Sequence, residues 1–225
     1  MPTILLRMRA PMMSWGDHSR FTIRDTRSEP TKSAVIGLLC AALGRPRSEA
    51  VHDLAALKMG VQINQEGLVQ CDYHTVMDSI KSSGIKGDTV ISQRYYVADA
   101  DYVVGLEGTD RLFLNTLDAA LQTPCWQLYF GRKSFLPSCP VQVGIQELSL
   151  EEALRLFPYR DRHRRPRTLR YVLEVPNSLD VLEVPNSLDV RQDVPIDWQR
   201  RLFASRCVET KFHEIPEVAA CISQD

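Results

Sequence analysis

The stretch that decides the fold is RFTIRDTRSEPTKSAVIGLLCAALG, residues 20–44. Its second half, residues 33–43, holds no charged residue and only one glycine. This composition predicts a helix that is apolar on every side and therefore buried. Thr31 or Ser33 can accept a backbone N–H at the helix start, and Gly44 suits the left-handed position just past its end. We expect the remaining elements to pack around this core helix.

The first half of the same stretch is basic. It crowds four cations against the predicted helix start, namely Arg20, Arg24, Arg27 and Lys32. A helix start favours an anion because it offers free N–H groups and a partial positive charge. The pattern therefore predicts a phosphate site, and a solvated basic loop that only caps the helix is the alternative.

The overall composition is that of an ordinary globular protein, large enough for one large domain or two small ones. A net charge of −1 does not favour a surface covered by nucleic acid. The charges are segregated, however, since residues 1–47 carry eight Lys and Arg against three Asp and Glu. A second basic block runs from Arg160 to Arg170. Such patches fit a subunit that contacts a polyanion on one side and protein on another.

The six cysteines are scattered and form no CxxC pair, so the sequence predicts neither a metal site nor a redox dithiol, and we expect no cofactor. The sequence contains neither a signal-peptide pattern nor a transmembrane run. A reducing cytoplasm is therefore the expected location, without a membrane partner.

Residue patterns predict alternating helices and strands. Clean alternation predicts strands over 3–10 and 169–175, and Ser149 opens a capping box. The other predicted elements are a helix over 48–57, a hairpin of 61–64 with 68–73, strands 90–98 and 102–106 paired about a turn at 99–101, a helix over 110–122 and a strand over 126–130. This order indicates an α+β fold, and the ferredoxin-like βαββαβ arrangement is the economical choice.

Two segments interrupt this pattern. Residues 78–88 are polar, contain Lys81 and Lys86, and are expected to project as an arm with the following hairpin. The nonapeptide LEVPNSLDV occurs at 173–181 and again at 182–190. We interpret 173–190 as a tandem-duplicated surface loop, and deletion of 182–190 should change stability by less than about 1 kcal/mol.

Five stretches carry a resemblance to a known family. In chain order they are MRAPMMSWG (8–16), EPTKSAVIGLLCAALG (29–44), DYHTV (72–76), FGRKSF (130–135) and RLFASR (201–206). Together they resemble the CRISPR-associated CasD family, the Cas-five-type subunit of the type I-E Cascade complex. The resemblance implies a ferredoxin-like (RNA-recognition-motif-like) palm with additional C-terminal strands. Residues 77–93 match the position of the family's thumb, which leaves 1–76 and 94–225 as the palm with its extension.

The resemblance also implies a function. Members of this family do not cut RNA in the type I-E complex, but grip the 5′ handle of the CRISPR RNA. Their implied partners are that RNA, the first backbone subunit, the large subunit, and target DNA near the foot of the assembly. The family's handle-binding regions match the Trp15 loop, where the indole could stack on a base, the helix start at 31–33 and the turn at 131–134.

The expected RNA-binding residues share a cationic, hydroxyl-bearing or aromatic side chain. They are Trp15, Arg20, Arg24, Arg27, Thr31, Lys32, Ser33, His74, Lys81, Lys86, Arg94, Arg132, Lys133 and Arg206. No catalytic residue and no metal ligand is expected.

Two other functions remain open from the sequence. A metal-independent endoribonuclease would need a base, an acid and a cation, which Tyr73 or His74 with Lys133 could supply. Strand alternation argues against this because it places Tyr73 and His74 on opposite faces. The block from Arg160 to Arg170 could contact DNA, or it could be a solvated basic loop.

Overall fold

The computed structural model of the chain describes residues 1–16, 22–159, 168–176 and 188–215. Within these residues the helices are α1 (Lys32–Leu43), α2 (His52–Ala55), α3 (Arg111–Gln122) and α4 (Leu150–Leu156). The strands are β1 (Thr3–Met13), β2 (Ile23–Arg24), β3 (Lys58–Gln65), β4 (Leu68–Val76), β5 (Val90–Glu107), β6 (Gln142–Gln146), β7 (Thr168–Val175), β8 (Leu188–Asp197) and β9 (Leu202–Glu214).

The strands form one sheet in the order β6-β1-β5-β3-β7-β9-β8, and both β2 and β4 pair with β5. Almost every strand pair is antiparallel; β2 with β5 is parallel. The main core lies between one face of the sheet and helices α1 and α3, and a smaller core lies under α4. The predicted α+β class is confirmed.

The central helix forms where its caps predict. The Thr31 side chain accepts from the backbone N–H of Ala34, and Gly44 follows the last turn with φ 71°. The left-handed conformation is easily adopted by glycine because it has no Cβ. The predicted capping box of Ser149 also forms at the start of α4. These local signals therefore fix both helix starts.

Strand β5 departs from the prediction. Instead of two strands joined by a turn at 99–101, residues Val90–Glu107 form one strand of 18 residues. Its first half pairs with β4, and its second half pairs with β1 and β3. The predicted hairpin of 61–64 with 68–73 is therefore also wrong. Asp99 has a positive φ of 54°. Strand β1 nevertheless pairs with both Ala98 and Ala100, so the strand continues through this position.

The exposed hairpin consists of β4, the connection 77–89 and the first half of β5. Eight of the nine β4 residues are exposed, and its apolar side chains include Leu68 and Tyr73 at 70% and 62% exposure. The hairpin therefore begins before the predicted arm at 77–93. The division of the chain into palm and thumb stays a prediction.

Three smaller predictions are wrong. The helix predicted over 48–57 is only the four residues of α2 and has no side-chain cap at its start. In the helix predicted over 110–122, the spacing of Leu112 from Leu114, Leu117 and Leu121 predicts that all four leucines face the core, but Leu112 is exposed on α3. Residues 126–130 do not form a strand, because their backbone bonds go instead to the end of α1 and to the turn that follows.

The repeated segment is partly strand. Leu173–Val175 of the first copy end β7, and Leu188–Val190 of the second copy begin β8. Leu173 is buried in the smaller core. The interpretation of 173–190 as a surface loop is therefore wrong at both ends, and residues 177–187 lie outside the described part of the chain.

The structure describes only the C-terminal end of the second basic block, residues 168–170. Residues 160–167 of the basic block lie outside the described part of the chain, while Arg170 forms ion pairs with Glu29 and Glu66 at 3.1 and 2.7 Å. In the described ranges, no group of three or more His, Cys, Asp or Glu side chains could hold a metal ion. None of the described helices combines the length and apolarity needed to cross a membrane.

Candidate nucleic-acid interface

A groove of about 930 Å³ opens along one flank of α1. This flank presents Ser33, Ala34, Gly37 and Ala41, all only partly buried. Residues three or four positions apart share a face of a helix, so these side chains form one continuous surface. The expectation that α1 is buried all round is therefore wrong for this flank, while its other sides face the core.

The other lining residues come from distant parts of the chain. Many are cationic or aromatic: Arg24, Arg45, Arg47, Arg94, Arg132, Trp126, Tyr129, Trp198 and Phe203. A groove that combines guanidinium groups with aromatic rings offers both phosphate contacts and stacking surfaces.

Three neighbouring arginines form what we call the cationic part of the groove: Arg24, Arg94 and Arg132. Arg24 and Arg94 are direct partners in the pairing of β2 with β5. Burial, followed by the charge of Arg94, lowers the pKa of Arg132, as expected for two cations held close together. No described carboxylate forms an ion pair with any of the three, although the charge of Asp72, which pairs with Arg94 between β4 and β5, partly opposes the lowering of the Arg132 pKa. An external anion would relieve the repulsion that remains.

Arg132 is held in a fixed orientation. Its Nη2 donates to the carbonyl oxygen of Tyr95 at 2.7 Å, and its guanidinium lies over the Phe135 ring at 5.2 Å from the centroid. The preceding Gly131 adopts φ 86°, and a Cβ there would lie 1.9 Å from the carbonyl oxygen of Ser14. The tight glycine turn thus places a preorganised guanidinium at the groove.

We call Trp126, Trp198 and Phe203 the aromatic part of the groove. The Trp126 indole is 48% exposed. Its backbone N–H donates at 3.0 Å to the carbonyl oxygen of Ala41 in the last turn of α1, which also accepts from the N–H of Gly44 at 3.3 Å. Trp198 packs edge-on against Phe203, with 6.0 Å between ring centroids. These rings provide apolar surface at the C-terminal end of the helix.

The arginines at this end of the groove differ from the cationic part. Arg45 donates to both carboxylate oxygens of Asp53 at 2.7 and 2.8 Å. Its charge is therefore largely compensated within the protein. Arg47 is exposed at the edge of the groove.

Trp15 is not a stacking surface in this structure. Its side chain is 1% exposed and packs between Tyr102 and Phe130, with ring centroids 6.3 and 5.7 Å away. The expectation of a base-stacking Trp15 is corrected because the core covers the indole. Its neighbours Ser14 and Gly16 line the groove instead.

The start of α1 already holds an internal anion. The backbone N–H of Lys32 donates to the Asp193 carboxylate at 2.7 Å, and Arg206 donates to the same carboxylate at 2.7 and 2.9 Å. Burial raises the pKa of Asp193, but the hydrogen bonds and charge of Arg206, together with the Lys32 N–H and the charge of Arg191, outweigh it, so the pKa is lowered. The expected phosphate position at this helix start is therefore occupied by a carboxylate of β8.

The side chain of Lys32 is also unavailable to a ligand. It is 2% exposed, and its Nζ donates to both oxygens of Glu174 at 3.0 Å. Burial lowers the pKa of Lys32, whereas the Glu174 charge opposes that shift. Thr31 is fully buried. The Nη1 atom of Arg27 lies 3.5 Å from Oδ2 of Asp189, with which it forms an ion pair. The expected phosphate contacts of Lys32, Thr31 and Arg206 are thus corrected. Lys32 and Arg206 belong to a buried network of ion pairs that anchors α1, and the buried Thr31 hydroxyl caps the helix.

The remaining predicted residues are dispersed. His74, Lys81 and Lys86 lie on the exposed hairpin, where Lys86 pairs with Asp78 at 2.7 Å. Lys133 is exposed beside the groove but does not line it, and Arg20 lies outside the described ranges. Of the predicted set, the groove brings together Arg24, Ser33, Arg94 and Arg132.

The groove also contains residues that sequence reasoning missed. Trp126 and Tyr129 were assigned to a strand, and no role was predicted for Trp198 and Phe203. The available signal was the position of Trp126 a few residues before the basic turn at 131–134, since an aromatic beside a cation is the pattern expected at single-stranded nucleic acid.

A groove with these properties on an α+β sheet is typical of proteins that bind single-stranded nucleic acid. Residues 3–209 match the family model described as CRISPR-associated protein (Cas_Cas5). Because the match spans nearly the whole chain, the protein belongs to this CRISPR-associated family. The resemblance inferred from the five sequence stretches is therefore confirmed.

Individual relatives agree with this assignment. The CRISPR system Cascade subunit CasD of Escherichia coli (strain K12) is 30% identical over 166 residues, which cover 65% of this chain and 72% of that protein. A crystal structure of a Cas protein is 37% identical with a TM-score of 0.73 and 96% coverage of both chains. A chain of a CRISPR RNA-guided surveillance complex is 26% identical with a TM-score of 0.82, covering 96% of this chain and 92% of that one.

Proposed function

We propose that this protein is a non-catalytic, RNA-binding subunit of a CRISPR surveillance complex, and that it grips the 5′ handle of the CRISPR RNA in the groove along α1. The observation that carries this proposal is the cationic part of the groove. It places Arg24, Arg94 and Arg132 close together, and among the described residues no carboxylate forms an ion pair with them. Phosphates are the anions that guanidinium groups bind best by paired hydrogen bonds.

A single-stranded handle suits this geometry. Unpaired RNA exposes its bases, which can stack on aromatic side chains while its phosphates contact arginine. The aromatic and cationic parts of the groove supply these two surfaces. A recognition helix that enters a duplex groove is not needed.

The proposed architecture follows from the strand order. The sequence β1-α1-β3-β5-α3-β6 builds the strand order β6-β1-β5-β3. This connectivity supports a ferredoxin-like palm, with β7, β8 and β9 as the C-terminal extension. We propose that the palm holds the handle in the cytoplasm and abuts the backbone and large subunits near the target DNA.

The exposed hairpin supports the proposed thumb. Replacing Ser79–Asp88 with a short Gly-Ser turn removes exposed side chains and should leave the stability of the purified chain unchanged. The variant should join the complex poorly, as measured by co-purification with the other subunits. Normal assembly with full DNA interference would contradict the role assigned to this connection.

The ribonuclease alternative has no observation in its favour. Tyr73 and His74 alternate along β4, and neither they nor Lys133 line the groove. Purified protein incubated with labelled repeat RNA in EDTA should leave the RNA intact. Metal-free cleavage that disappears in His74→Ala or Lys133→Ala would replace the binding proposal with the ribonuclease one.

The direct test of binding uses the assembled complex. It should retain a CRISPR RNA of defined 5′ end, and the double substitution Arg94→Gln with Arg132→Gln should weaken its retention of the handle at every salt concentration. Loss of two phosphate contacts should flatten the log–log salt dependence by about 1.4, because each contact to a single strand contributes about 0.7. Arg111→Gln is the matched control because this exposed α3 arginine pairs with Glu147 away from the groove. Equal retention and equal slope in the double variant and the control would refute the proposal.

A further inference from the structure

The glycine in the middle of α1 is not explained by packing within the protein. A Cβ at Gly37 would meet no atom within 4 Å, and its backbone is an ordinary helical one. Glycine is less stable than alanine inside a helix because it loses more conformational freedom on folding. Glycine is favoured, however, where a ligand approaches the backbone closely.

Gly37 lies between the two parts of the groove. The segment that carries Trp126 begins beside the last turn of α1, where the backbone N–H of Cys125 donates to the carbonyl oxygen of Ala42 at 2.9 Å. Just before the basic turn at 131–134, the carbonyl oxygen of Phe130 in this segment accepts from the backbone N–H of Ser14 at 3.1 Å. The wall opposite the helix therefore runs from the aromatic part to the cationic part, and Gly37 faces the space along it.

We infer that a single-stranded RNA segment lies along α1 with its phosphates on Arg24, Arg94 and Arg132, a base stacked on Trp126, and the nucleotide between them seated against Gly37. This inference rests on the proposed function and specifies how its groove is used. The arginines read no base identity because they contact the backbone of the RNA. The indole requires a base but tolerates any of the four, since every base has a π-face.

The glycine gives a test in which stability and binding move in opposite directions. Gly37→Ala should raise the melting temperature by about 2–4 °C, as expected for removal of a helix glycine in a chain of this size. Gly37→Gln should retain a helix-favouring residue but fill the groove, and should weaken RNA binding at least tenfold without lowering the melting temperature. Ala119→Gln is the control, since this exposed α3 residue does not line the groove.

The stacking contact is tested by removing bases one at a time. The probe is single-stranded RNA with the repeat-derived 5′ end, carrying an abasic nucleotide at successive positions. With the wild-type chain, one or two abasic positions should weaken binding about 5- to 150-fold. In Trp126→Ala these same positions should have no further effect, while the salt dependence stays that of the wild type. Binding is measured with the full chain and as RNA retention by the assembled complex.

The outcomes distinguish the proposed function from the proposed position of the RNA in the groove. Failure of the wild-type complex to retain the RNA would overturn the proposed function. Normal wild-type binding together with equal affinity of Gly37→Gln would overturn the seating of a nucleotide against α1. Normal binding with abasic effects that persist in Trp126→Ala would overturn the stacking contact.

Discussion

Deletion of residues 182–190, the second copy of LEVPNSLDV, tests how the chain connects β7 with β8. Because the two copies are identical, the product is the same chain as one lacking 177–185. Both the end of β7 at Val175 and the start of β8 at Leu188 are therefore kept. The connection between them falls from twelve residues, 176–187, to the three residues Pro-Asn-Ser.

Three residues are too few for this connection. Strands β7 and β8 lie on opposite sides of β9, since Leu173 and Leu188 both pair with Glu209. The chain must cross two strand spacings of about 4.8 Å, step back by two residues of about 3.4 Å each, and pass over β9. Three connecting residues reach at most about 14 Å, which leaves almost nothing for the passage over β9.

The deletion should therefore detach the first three residues of β8. Leu188–Val190 then join the connection, and their pairing with Cys207–Glu209 is lost. Two or three ladder hydrogen bonds at about 1 kcal/mol each give a loss of roughly 2–3 kcal/mol, and the shorter loop reduces this by about 0.6 kcal/mol, to roughly 1.4–2.4 kcal/mol. At about 2–4 °C per kcal/mol for a chain of this size, the melting temperature should fall by about 3–10 °C. The structure thus revises the neutral deletion expected from the sequence.

The measurement combines thermal unfolding with hydrogen exchange at residues 207–209. Replacing 177–185 with nine Gly and Ser residues is the matched control, because it keeps the length of the connection. An unchanged melting temperature with unchanged protection at 207–209 would refute the crossover reasoning. A loss above 10 °C in the control would instead show that the repeated sequence packs into the core.

Three further predictions concern stability. Lys32→Met should lower the free energy of unfolding by roughly 3 kcal/mol in urea titrations, because it breaks a buried ion pair; a loss below 1 kcal/mol would contradict this. Gly131→Ala should destabilise by more than about 3 kcal/mol, through positive φ and the clash with Ser14, whereas Gly84→Ala, at φ 79° in open space, should lose only about 1–2 kcal/mol; equal losses would refute the steric argument. The lowered folded pKa of Asp193 stabilises the fold above the unfolded value of about 3.9, and this contribution is lost as pH falls through the folded pKa; the urea midpoint of Asp193→Asn should therefore vary less below pH 4 than that of the wild type.

Local features were predictable from the sequence. Thr31 and Gly44 mark the ends of α1 because a cap depends on residues within a few positions of each other. The alternation of Leu169, Tyr171 and Leu173 identified β7 for the same reason, since a half-buried strand carries its own period.

Long-range partners were not predictable. The charge at the start of α1 suggested an external phosphate, but its anions are Glu174 and Asp193, more than 140 residues further along the chain. A cation that binds a ligand and one that pairs inside the protein have the same local sequence. The same limit applies to Trp15 and Trp126, because burial depends on what the rest of the fold places against each indole.

Strand β5 has a mechanical consequence. At about 3.4 Å per residue, this strand of 18 residues is roughly 60 Å long and runs from the exposed hairpin into the middle of the sheet. Arg94 lies on the part of this strand that precedes Asp99, and it pairs there with Asp72 of the exposed hairpin and with Arg24 of β2. A movement of the exposed hairpin therefore moves Arg94 with it. The contact of Arg94 with a bound RNA strand thus depends on the angle of the hairpin.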